Sequence, residues 1–320
     1  MQDSSRPDVV VVGAGIAGLT AALELSARGL RVQVWSRDDP LRTTSSVAGA
    51  IWYPFLAEPR ERIVALGEVS LRRLTALAAD PATGVHLEPV VEVFRGPPDL
   101  WWGSSVLRPQ LLPPEEVPPG YDAAVRLDVP VCDAPVLLAW LVDQLAARGV
   151  QIERRELASF EQAFAVADTV VNCTGLGARE LCGDSSVFAV RGQVLVCEGL
   201  AVDAAWIDDT GARPAYFIPR RGELIVGGTA QHDDPRLEPD GFDSTAILAG
   251  VAGRLPALGP QHVRAVKVGL RPCRPTLRLE VEDLPDGRRL VHDYGHGGSG
   301  FTIAHGCAEA VAEMVLAPRS

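Results

Sequence analysis

The sequence predicts a mixed α/β protein in which a Rossmann-type nucleotide-binding domain carries an inserted lobe rich in β-strands. Three observations support this class: a strand–turn–helix–strand unit with a glycine-rich turn near the start, two stretches with β-type runs of which the first is rich in proline, and a second glycine-rich turn before a final helix. The 320 residues suffice for a large core, as one composite domain or two. A hydrophobic content of 47% and a charged content of 22% are ordinary for a globular protein.

The opening unit predicts a dinucleotide site. Four consecutive valines, residues 9–12, are typical of a strand buried on both faces. Gly13, Gly15 and Gly18 follow with the G-x-G-x-x-G spacing, and an apolar stripe at helical spacing comes after them. Gly13 would make the tight turn, Gly15 would let the backbone approach a pyrophosphate, and Gly18 would let the helix pack close to the strand. The N–H groups at the helix start, around Ile16, would then face the phosphates.

Two stretches after the second strand are further candidate contacts. Arg37 and Asp38 lie near the expected ribose-binding position, with Asp38 slightly late, and a solvated turn is the alternative. Thr43 and Thr44 begin a run of hydroxyl residues that gives way to small ones. Such a loop can bring backbone N–H groups to a flat ring, with an ordinary polar turn as the alternative.

The middle of the chain is predicted to alternate between segments of two domains. A helical pattern covers 60–80, and 85–131 holds short β-type runs and many prolines, which predict loops and edge strands. A helix then begins near Pro135 and stops at Gly149. Further strands of the first domain are predicted at 150–152, at 169–175, where the strand ends in a glycine turn that contains Thr174 and Gly175, and at 289–293. The second lobe is predicted to hold strands at 193–198, 215–219, 223–229, 263–270 and 276–281, with a helix near 243–254. We predict a nucleotide domain made of 7–60, 132–190 and 285–320, and a substrate lobe made of 61–131 and 191–284.

Composition excludes several function classes. The net charge is −11, and no lysine–arginine run suggests a nucleic-acid surface. The six cysteines show no paired spacing, which is typical of reduced thiols, and we predict no metal site. No apolar run reaches the length of a membrane span, and the start is too polar for a signal peptide. We therefore expect a cytoplasmic protein with no membrane or nucleic-acid partner. The oligomeric state stays open, with a homodimer as one option.

Taken together, the motifs resemble the D-amino-acid oxidase family of flavoenzymes. The resemblance spans nearly the whole chain and rests on eight motifs: residues 12–19, 43–54, 171–175, 191–193, 215–220, 227–229, 269–275 and 292–302. The arginine motif Arg-Pro-Cys-Arg-Pro and the His-Gly-Gly-Ser-Gly motif together are specific, whereas the first glycine motif alone would indicate only a dinucleotide.

The resemblance implies FAD, bound non-covalently, and a substrate lobe built on a mostly antiparallel sheet over the flavin. It implies that Gly49, Ala50 and Ile51 present backbone to the reactive edge of the ring. The other implied contacts are with the adenine, at Leu157, and with the other side of the flavin, at Gly297, Gly298, Gly300, Phe301 and Thr302. With the residues above, the complete predicted cofactor set is Gly13, Gly15, Ile16, Ala17, Gly18, Arg37, Asp38, Thr43, Thr44, Gly49, Ala50, Ile51, Leu157, Thr174, Gly175, Arg271, Gly297, Gly298, Gly300, Phe301 and Thr302.

For the substrate, the family pattern places Arg271 and Tyr216 on a carboxylate. Arginine offers that group a planar two-pronged donor, and a phenol adds one more. The carbonyl of Gly298 would accept from the substrate amine. Three side-chain neighbours are predicted: Ile51, Tyr53 and Ile218.

The implied activity is oxidation of neutral D-amino acids, by hydride transfer to flavin N5, to 2-oxo acids, ammonia and hydrogen peroxide. No protein acid or base is required, so we predict no catalytic side chain, and we interpret His296 as structural or flavin-adjacent. Two alternatives stay open: an oxidase of glycine or sarcosine, and a non-catalytic FAD-binding protein.

This chain departs from the family pattern in two places. The segment 206–214 is short and lacks the second tyrosine of the mammalian lid, which leaves the pocket more open. Ala230 stands where D-aspartate-oxidising relatives place an arginine, which argues against acidic substrates unless Arg213 or Arg220 substitutes for it.

Overall fold

The computed structural model describes residues 6–103 and 107–319. Within them the chain forms two β-sheets, one of six strands and one of nine. The strands are β1 (Val9–Val12), β2 (Val32–Ser36), β3 (Val85–Phe94), β4 (Gln110–Leu111), β5 (Ala123–Cys132), β6 (Gln151–Arg154), β7 (Thr169–Asn172), β8 (Phe188–Cys197), β9 (Ala205–Asp208), β10 (Ala215–Arg220), β11 (Glu223–Gly227), β12 (Gln231–His232), β13 (Val263–Cys273), β14 (Arg278–Asp283) and β15 (Arg289–Tyr294).

Five α-helices of 11 to 18 residues and two of four residues accompany the sheets in the described part of the chain. They are α1 (Ile16–Ala27), α2 (Arg60–Leu77), α3 (Ala134–Ala147), α4 (Glu161–Phe164), α5 (Ala178–Leu181), α6 (Gly241–Val251) and α7 (Gly300–Leu316). None of the described helices is long and apolar enough to cross a lipid bilayer.

The smaller sheet has the strand order β14-β15-β7-β1-β2-β6 and is parallel except at β14. The four valines of β1 explain its central position, because Val9 and Val11 pack into one hydrophobic cluster while Val10 and Val12 pack into another on the opposite face. Helices α1, α2, α3 and α7 pack on the side of the first cluster, and α4 lies on the other. The prediction that residues 9–12 form a strand buried on both faces is confirmed.

The larger sheet has the order β12-β8-β11-β10-β9-β3-β5-β4, with β13 also paired to β8, and is antiparallel apart from the β3–β9 pair. Two expectations need correction here. The 85–131 stretch supplies one edge strand as expected, β4, but also β3 and β5, two interior strands of ten residues each that have a partner on both sides. The strand predicted at 276–281 is β14, and it extends the smaller sheet by pairing with β15.

Helix α2 packs along the final helix α7, although it begins the stretch assigned to the substrate lobe. Gly67 and Gly306 permit this approach, since a side chain at Gly306 would clash with the backbone of Leu66. The two domain ranges stay a prediction. What the topology fixes is that the carboxyl ends of β1, β2 and β7 open onto one face of the larger sheet.

Candidate active site

One large cavity, of about 940 Å³, lies between the two sheets. It begins at the glycine turn after β1, passes the loop 42–51, and ends against strands β8, β9, β10 and β13 of the larger sheet. This volume is at the upper end of the range for small-molecule sites. Its position at the carboxyl ends of parallel strands is where open α/β sheets bind ligands.

The glycine turn has the geometry that the motif predicts. A side chain at Gly13 would collide with the backbone of Cys173, and one at Gly18 would collide with the backbone of Gly13, so both positions are fixed by packing. Gly15 lines the cavity at the start of α1, whose first turn carries no acidic residue. The positive end of this twelve-residue helix therefore faces the cavity without an internal anion.

The second glycine-rich turn, before α7, also lines the cavity, and Gly300 at the start of α7 lies beside Ile16 at the start of α1. Gly297 has a φ of 57°, and a side chain there would collide with the carbonyl of Leu56. The Ser299 hydroxyl accepts from the Phe55 amide at 2.7 Å and donates to the Phe55 carbonyl at 3.0 Å. These bonds hold the 53–56 loop against the start of α7.

The cavity brings together nearly all the residues predicted from sequence. Its walls include every predicted substrate neighbour and every predicted cofactor contact except two, Gly18 and Thr302. Gly18 serves the packing described above. Thr302 is buried, and its hydroxyl accepts from the Tyr53 amide at 3.1 Å and donates to the Tyr53 carbonyl at 2.9 Å. Thr302 is thus placed to position Tyr53 rather than to contact a ligand.

Arg271, on β13, reaches into the cavity with most of its donors unused. Its Nη1 donates to the Thr229 carbonyl at 2.9 Å, and no carboxylate of the described residues lies within 4.0 Å of it. The guanidinium lies over Gly192, where a Cβ atom would be 2.6 Å from Cζ, and 5.7 Å from the centre of the Phe55 ring. A half-buried cation without an internal partner is a site for an anion.

Tyr216, on β10, lies beside this guanidinium. Its ring packs over Gly227 and Gly228, where any side chain would collide with it. Burial raises the pKa of the Tyr216 phenol, while the neighbouring Arg271 charge opposes that rise. The phenol therefore stays protonated and can donate to the same anion. Gly49 completes this wall, because a Cβ atom there would be 3.1 Å from Cδ1 of Ile218.

The sequence does not predict two acidic residues, one in the cavity wall beside the larger sheet and one bonded to a residue of that wall. Asp209, just after β9, lines the cavity, and Glu92 on β3 accepts a 2.7 Å hydrogen bond from the Tyr53 hydroxyl. Neither carboxylate belongs to a motif. A signal existed for Glu92, since a glutamate inside a run of valines is buried and needs a partner.

The residues weighed as determinants of acidic substrates lie elsewhere. Within the described chain, Ala230, Arg213 and Arg220 are not among the cavity walls. Arg213 pairs with Asp243 at 3.1 Å. Arg220 is buried, and burial lowers its pKa. Neither arginine is therefore placed to bind a substrate side chain.

His296, in the second glycine-rich turn, lines the cavity, and a buried carboxylate holds its ring. One of its ring nitrogens lies 2.8 Å from the carboxylate of Asp293, which is completely buried, and the thiols of Cys173 and Cys307 neighbour the same carboxylate. Burial, first, and the Asp293 charge raise the pKa of both thiols well above the usual value. These thiols stay protonated, and His296 is held rigidly, in agreement with its structural interpretation.

The residues present fit FAD. Two helix N-termini whose first turns carry no acidic residue meet the cavity, each at a glycine-rich turn, and the small residues Ala48, Gly49 and Ala50 line it as well. Arg37 and Asp38 form an exposed pair at 3.0 Å near Leu157, at the end where the adenosine is expected.

Comparisons with known proteins agree with this picture. A family model described as FAD dependent oxidoreductase matches residues 8–314. The D-amino-acid oxidase of Rubrobacter xylanophilus is 44% identical over 314 residues, covering 97% of this chain and 96% of that protein. The D-amino-acid oxidase of Streptomyces coelicolor is 40% identical over 328 residues, covering 98% of each. Among solved structures, glycine oxidase from Bacillus cereus has a TM-score of 0.79 at 19% identity, covering 97% of this chain and 95% of that one, which is a likeness of fold.

Proposed function

The chain belongs to the D-amino-acid oxidase family of FAD-dependent oxidoreductases, and we propose that it oxidises neutral D-amino acids whose carboxylate is bound by Arg271 and Tyr216. The net reaction consumes a D-amino acid, oxygen and water and yields a 2-oxo acid, ammonia and hydrogen peroxide. Bound FAD supplies the two-electron acceptor for this chemistry.

The observation that carries the carboxylate assignment is the unpaired guanidinium of Arg271 inside the cavity. A planar guanidinium binds a carboxylate through two parallel hydrogen bonds, which fixes the orientation of the substrate as well as its position. The protonated Tyr216 phenol adds a third donor. Since both groups project from neighbouring parts of a rigid sheet, they hold the carboxylate in one place while the α-carbon faces the flavin region.

We propose the remaining substrate contacts from the positions of these residues in the cavity wall. The Gly298 carbonyl would accept from the substrate amine, and Ile51, Tyr53 and Ile218 would surround the side chain. No described side chain near Arg271 and Tyr216 is an obvious base for the α-proton. The chain's own contribution is then orientation and exclusion of water, and it requires the substrate amine to be neutral when the C–H bond breaks.

The substrate class follows from the charges of the cavity. Within the described residues, no cation besides Arg271 faces the substrate end, whereas Asp209 does. A side-chain carboxylate would there be buried without a positive partner, which is costly. We therefore propose that D-aspartate and D-glutamate are poor substrates, on the ground of Asp209 rather than of Ala230.

The deciding experiment is to purify the protein, record its visible spectrum and screen D-amino acids for hydrogen peroxide. We expect a flavin spectrum, with peroxide from neutral D-amino acids. Acid precipitation should release the yellow colour into the supernatant, because we propose non-covalent FAD. Faster turnover of glycine or sarcosine than of any D-amino acid would instead support the alternative amine oxidase. A spectrum that no D-amino acid bleaches would support a non-catalytic flavoprotein.

A further inference from the structure

We propose that the far end of the cavity selects side chains that end in a hydrogen-bond donor, above all an ammonium group. Two residues that line this end, Tyr53 and Asp209, offer hydrogen-bond acceptors to the cavity. Together with Glu92, which is not among the cavity walls but accepts the Tyr53 hydrogen bond, we call them the acceptor wall. This inference rests on the proposed oxidation of D-amino acids and extends its substrate class from neutral to cationic side chains.

The strand register places the acceptor wall on the same sheet face as the carboxylate site. Tyr216 on β10 is paired with Ile207 on β9, and Ile207 is paired with Glu92 on β3. Paired residues on neighbouring strands share a face, so Tyr216, Ile207 and Glu92 form one row across the sheet. Asp209 lies two residues beyond Ile207. Two strand spacings separate Tyr216 from Glu92, about 10 Å, which a long substrate side chain can approach and a methyl group cannot.

Because the Tyr53 hydroxyl donates its proton to Glu92, it can only accept hydrogen bonds from the cavity. A phenol has one proton, and the Tyr53 hydroxyl gives it to Oε1 of Glu92 at 2.7 Å. Toward the cavity, which Tyr53 lines, its oxygen can then only accept. Burial, together with the Glu92 charge and hydrogen bond, raises the pKa of the phenol far above its usual value, so the proton is not lost.

Two carboxylates give the acceptor wall its negative charge. Glu92 is 5% exposed, and its second oxygen accepts no hydrogen bond of normal geometry from the described residues, although the Trp102 indole lies nearby. Asp209 has no cation within salt-bridge distance in the described chain, unlike its neighbour Asp208, which lies 3.5 Å from Arg95. Both carboxylates therefore lack a positive partner, which a substrate ammonium would supply.

The same carboxylates predict how the selection varies with pH. Burial raises the pKa of Glu92 to about 7, with smaller contributions from the charges of Asp209 and Asp99. Partial desolvation of the carboxylate, first, and the charge of Asp208 raise the pKa of Asp209 to about 6. The acceptor wall is thus largely neutral well below these values and negative above them. Preference for an ammonium side chain should rise with pH through this range, because that ammonium keeps its proton to about pH 10.

Isosteric substrate pairs test the proposal on the holoenzyme. D-Ornithine and D-norleucine differ by an ammonium group in place of a methyl group, and D-glutamine and D-glutamate differ by an amide in place of a carboxylate. We measure kcat/KM for each and divide it by the value for D-alanine with the same enzyme. The wild type should oxidise D-ornithine at least as well as D-norleucine, and D-glutamine about tenfold or more better than D-glutamate, the order of one hydrogen bond to a charged group.

Two nearly isosteric variants remove the negative charge. Asp209→Asn acts on an exposed loop, and Glu92→Gln acts inside the sheet. Each should lower the ornithine-to-norleucine ratio about tenfold and flatten its rise between about pH 5.5 and 8. Asp99→Asn is the matched control, because Asp99 is an acid near Glu92 that is already paired with Arg60, at 3.1 Å. Glu92 is likewise outside the cavity walls, but it accepts the hydrogen bond of Tyr53, which lines them. For the Asp99 variant the expectation is different. It should leave the ratio within about twofold of the wild type.

The outcomes separate this inference from the proposed function. No oxidation of D-alanine or any other D-amino acid would overturn the proposed function itself. Oxidation of D-alanine with an ornithine-to-norleucine ratio that neither Asp209→Asn nor Glu92→Gln changes by more than about twofold would overturn the acceptor wall alone. If Glu92→Gln fails to fold, Asp209→Asn still decides, since its backbone lies outside the strands.

Discussion

Two arginines on neighbouring strands of the larger sheet have opposite surroundings. Arg191 on β8 and Arg271 on β13 are close in the register, since Arg191 is paired with Leu270 and Arg271 with Val190. Arg191 is completely buried, and all five of its N–H groups have an acceptor, including Asp243 at 3.0 Å. Arg271 is half-buried; its Nη1 donates to the Thr229 carbonyl, its guanidinium also interacts with the Tyr216 phenol, and it has no carboxylate partner among the described residues.

The difference shows how structure separates a stabilising arginine from a binding one. Arg191 finds its partners in the 231–243 segment, so it ties that segment and α6 to the sheet. The Arg271 guanidinium lies directly over Gly192, where only a residue without a side chain leaves room for it. Its remaining donors can bind a ligand. Loss of Arg191 should therefore affect folding, and loss of Arg271 should affect activity.

The largest effect is expected for Arg271→Leu. Loss of one partner of a desolvated charge pair costs about 3–5 kcal/mol, which is roughly two to four decades in kcat/KM for D-alanine. Thermal unfolding and FAD content should stay close to those of the wild type, because this guanidinium has no carboxylate partner in the described protein. Steady-state kinetics, a thermal melt and a visible spectrum measure the three quantities.

Arg271→Lys is the matched control for charge. It keeps the cation but loses the two-pronged geometry, so its kcat/KM should fall between those of the wild type and Arg271→Leu. Benzoate, a simple carboxylate, should perturb the flavin spectrum of the wild type and not that of Arg271→Leu. Oxidation of D-alanine by Arg271→Leu within about threefold of the wild type would show that Arg271 is structural.

Arg191→Leu tests whether Arg191 stabilises the fold. The variant leaves Asp243 buried without its main partner, which typically costs 3–5 kcal/mol in the free energy of unfolding. Because Gln231 and Arg213 still contact Asp243, we expect about 3 kcal/mol, the lower end of that range. Urea unfolding of Arg191→Leu and Arg271→Leu under the same conditions measures the free energy of unfolding of each variant. Equal stability of the two variants would contradict the division of roles.

Tyr216→Phe probes the second donor to the substrate carboxylate. It removes one neutral hydrogen bond to a charged group, about 2 kcal/mol, or somewhat more than one decade in kcat/KM. The phenyl ring keeps its packing over Gly227 and Gly228, so the thermal melt should not change. A loss as large as that of Arg271→Leu would mean that Tyr216 does more than bind the carboxylate.

Much of the fold followed from local sequence pattern. The valines of β1 and the glycines after them act through nearest neighbours and chain geometry, so a single sequence suffices to predict the unit they form. The expected position of 276–281 was wrong because strand partners are decided by long-range packing. The residues of β14 alternate like those of any half-exposed strand, and nothing local distinguishes pairing with β15 from pairing in the larger sheet.

The site could be predicted where a motif carried it and not elsewhere. The glycine loops, Arg271 and Tyr216 lie in motifs, and the cavity brings them together. Glu92 and Asp209 are 117 residues apart and meet only because β3 and β9 are neighbours. The saturated network of Arg191 depends likewise on a loop more than 40 residues away. Such charge pairings are properties of the tertiary structure.

The smallest effect is expected for Arg213→Met, which removes the outer partner of Asp243. Arg213 and Arg191 contact the same carboxylate, at 3.1 and 3.0 Å, but the side chain of Arg213 is 46% exposed and that of Arg191 is 0% exposed. Water therefore screens the Arg213–Asp243 pair. The entropy lost when the long exposed side chain of Arg213 is ordered offsets part of the attraction between the two charges. We expect a loss of about 0.2–1 kcal/mol in the free energy of unfolding, and a smaller loss at high salt. Methionine keeps most of the aliphatic contact with Phe242, so the variant isolates the charge. A loss as large as that of Arg191→Leu would show that exposure does not separate these two arginines, and that Asp243 needs both cations to remain buried.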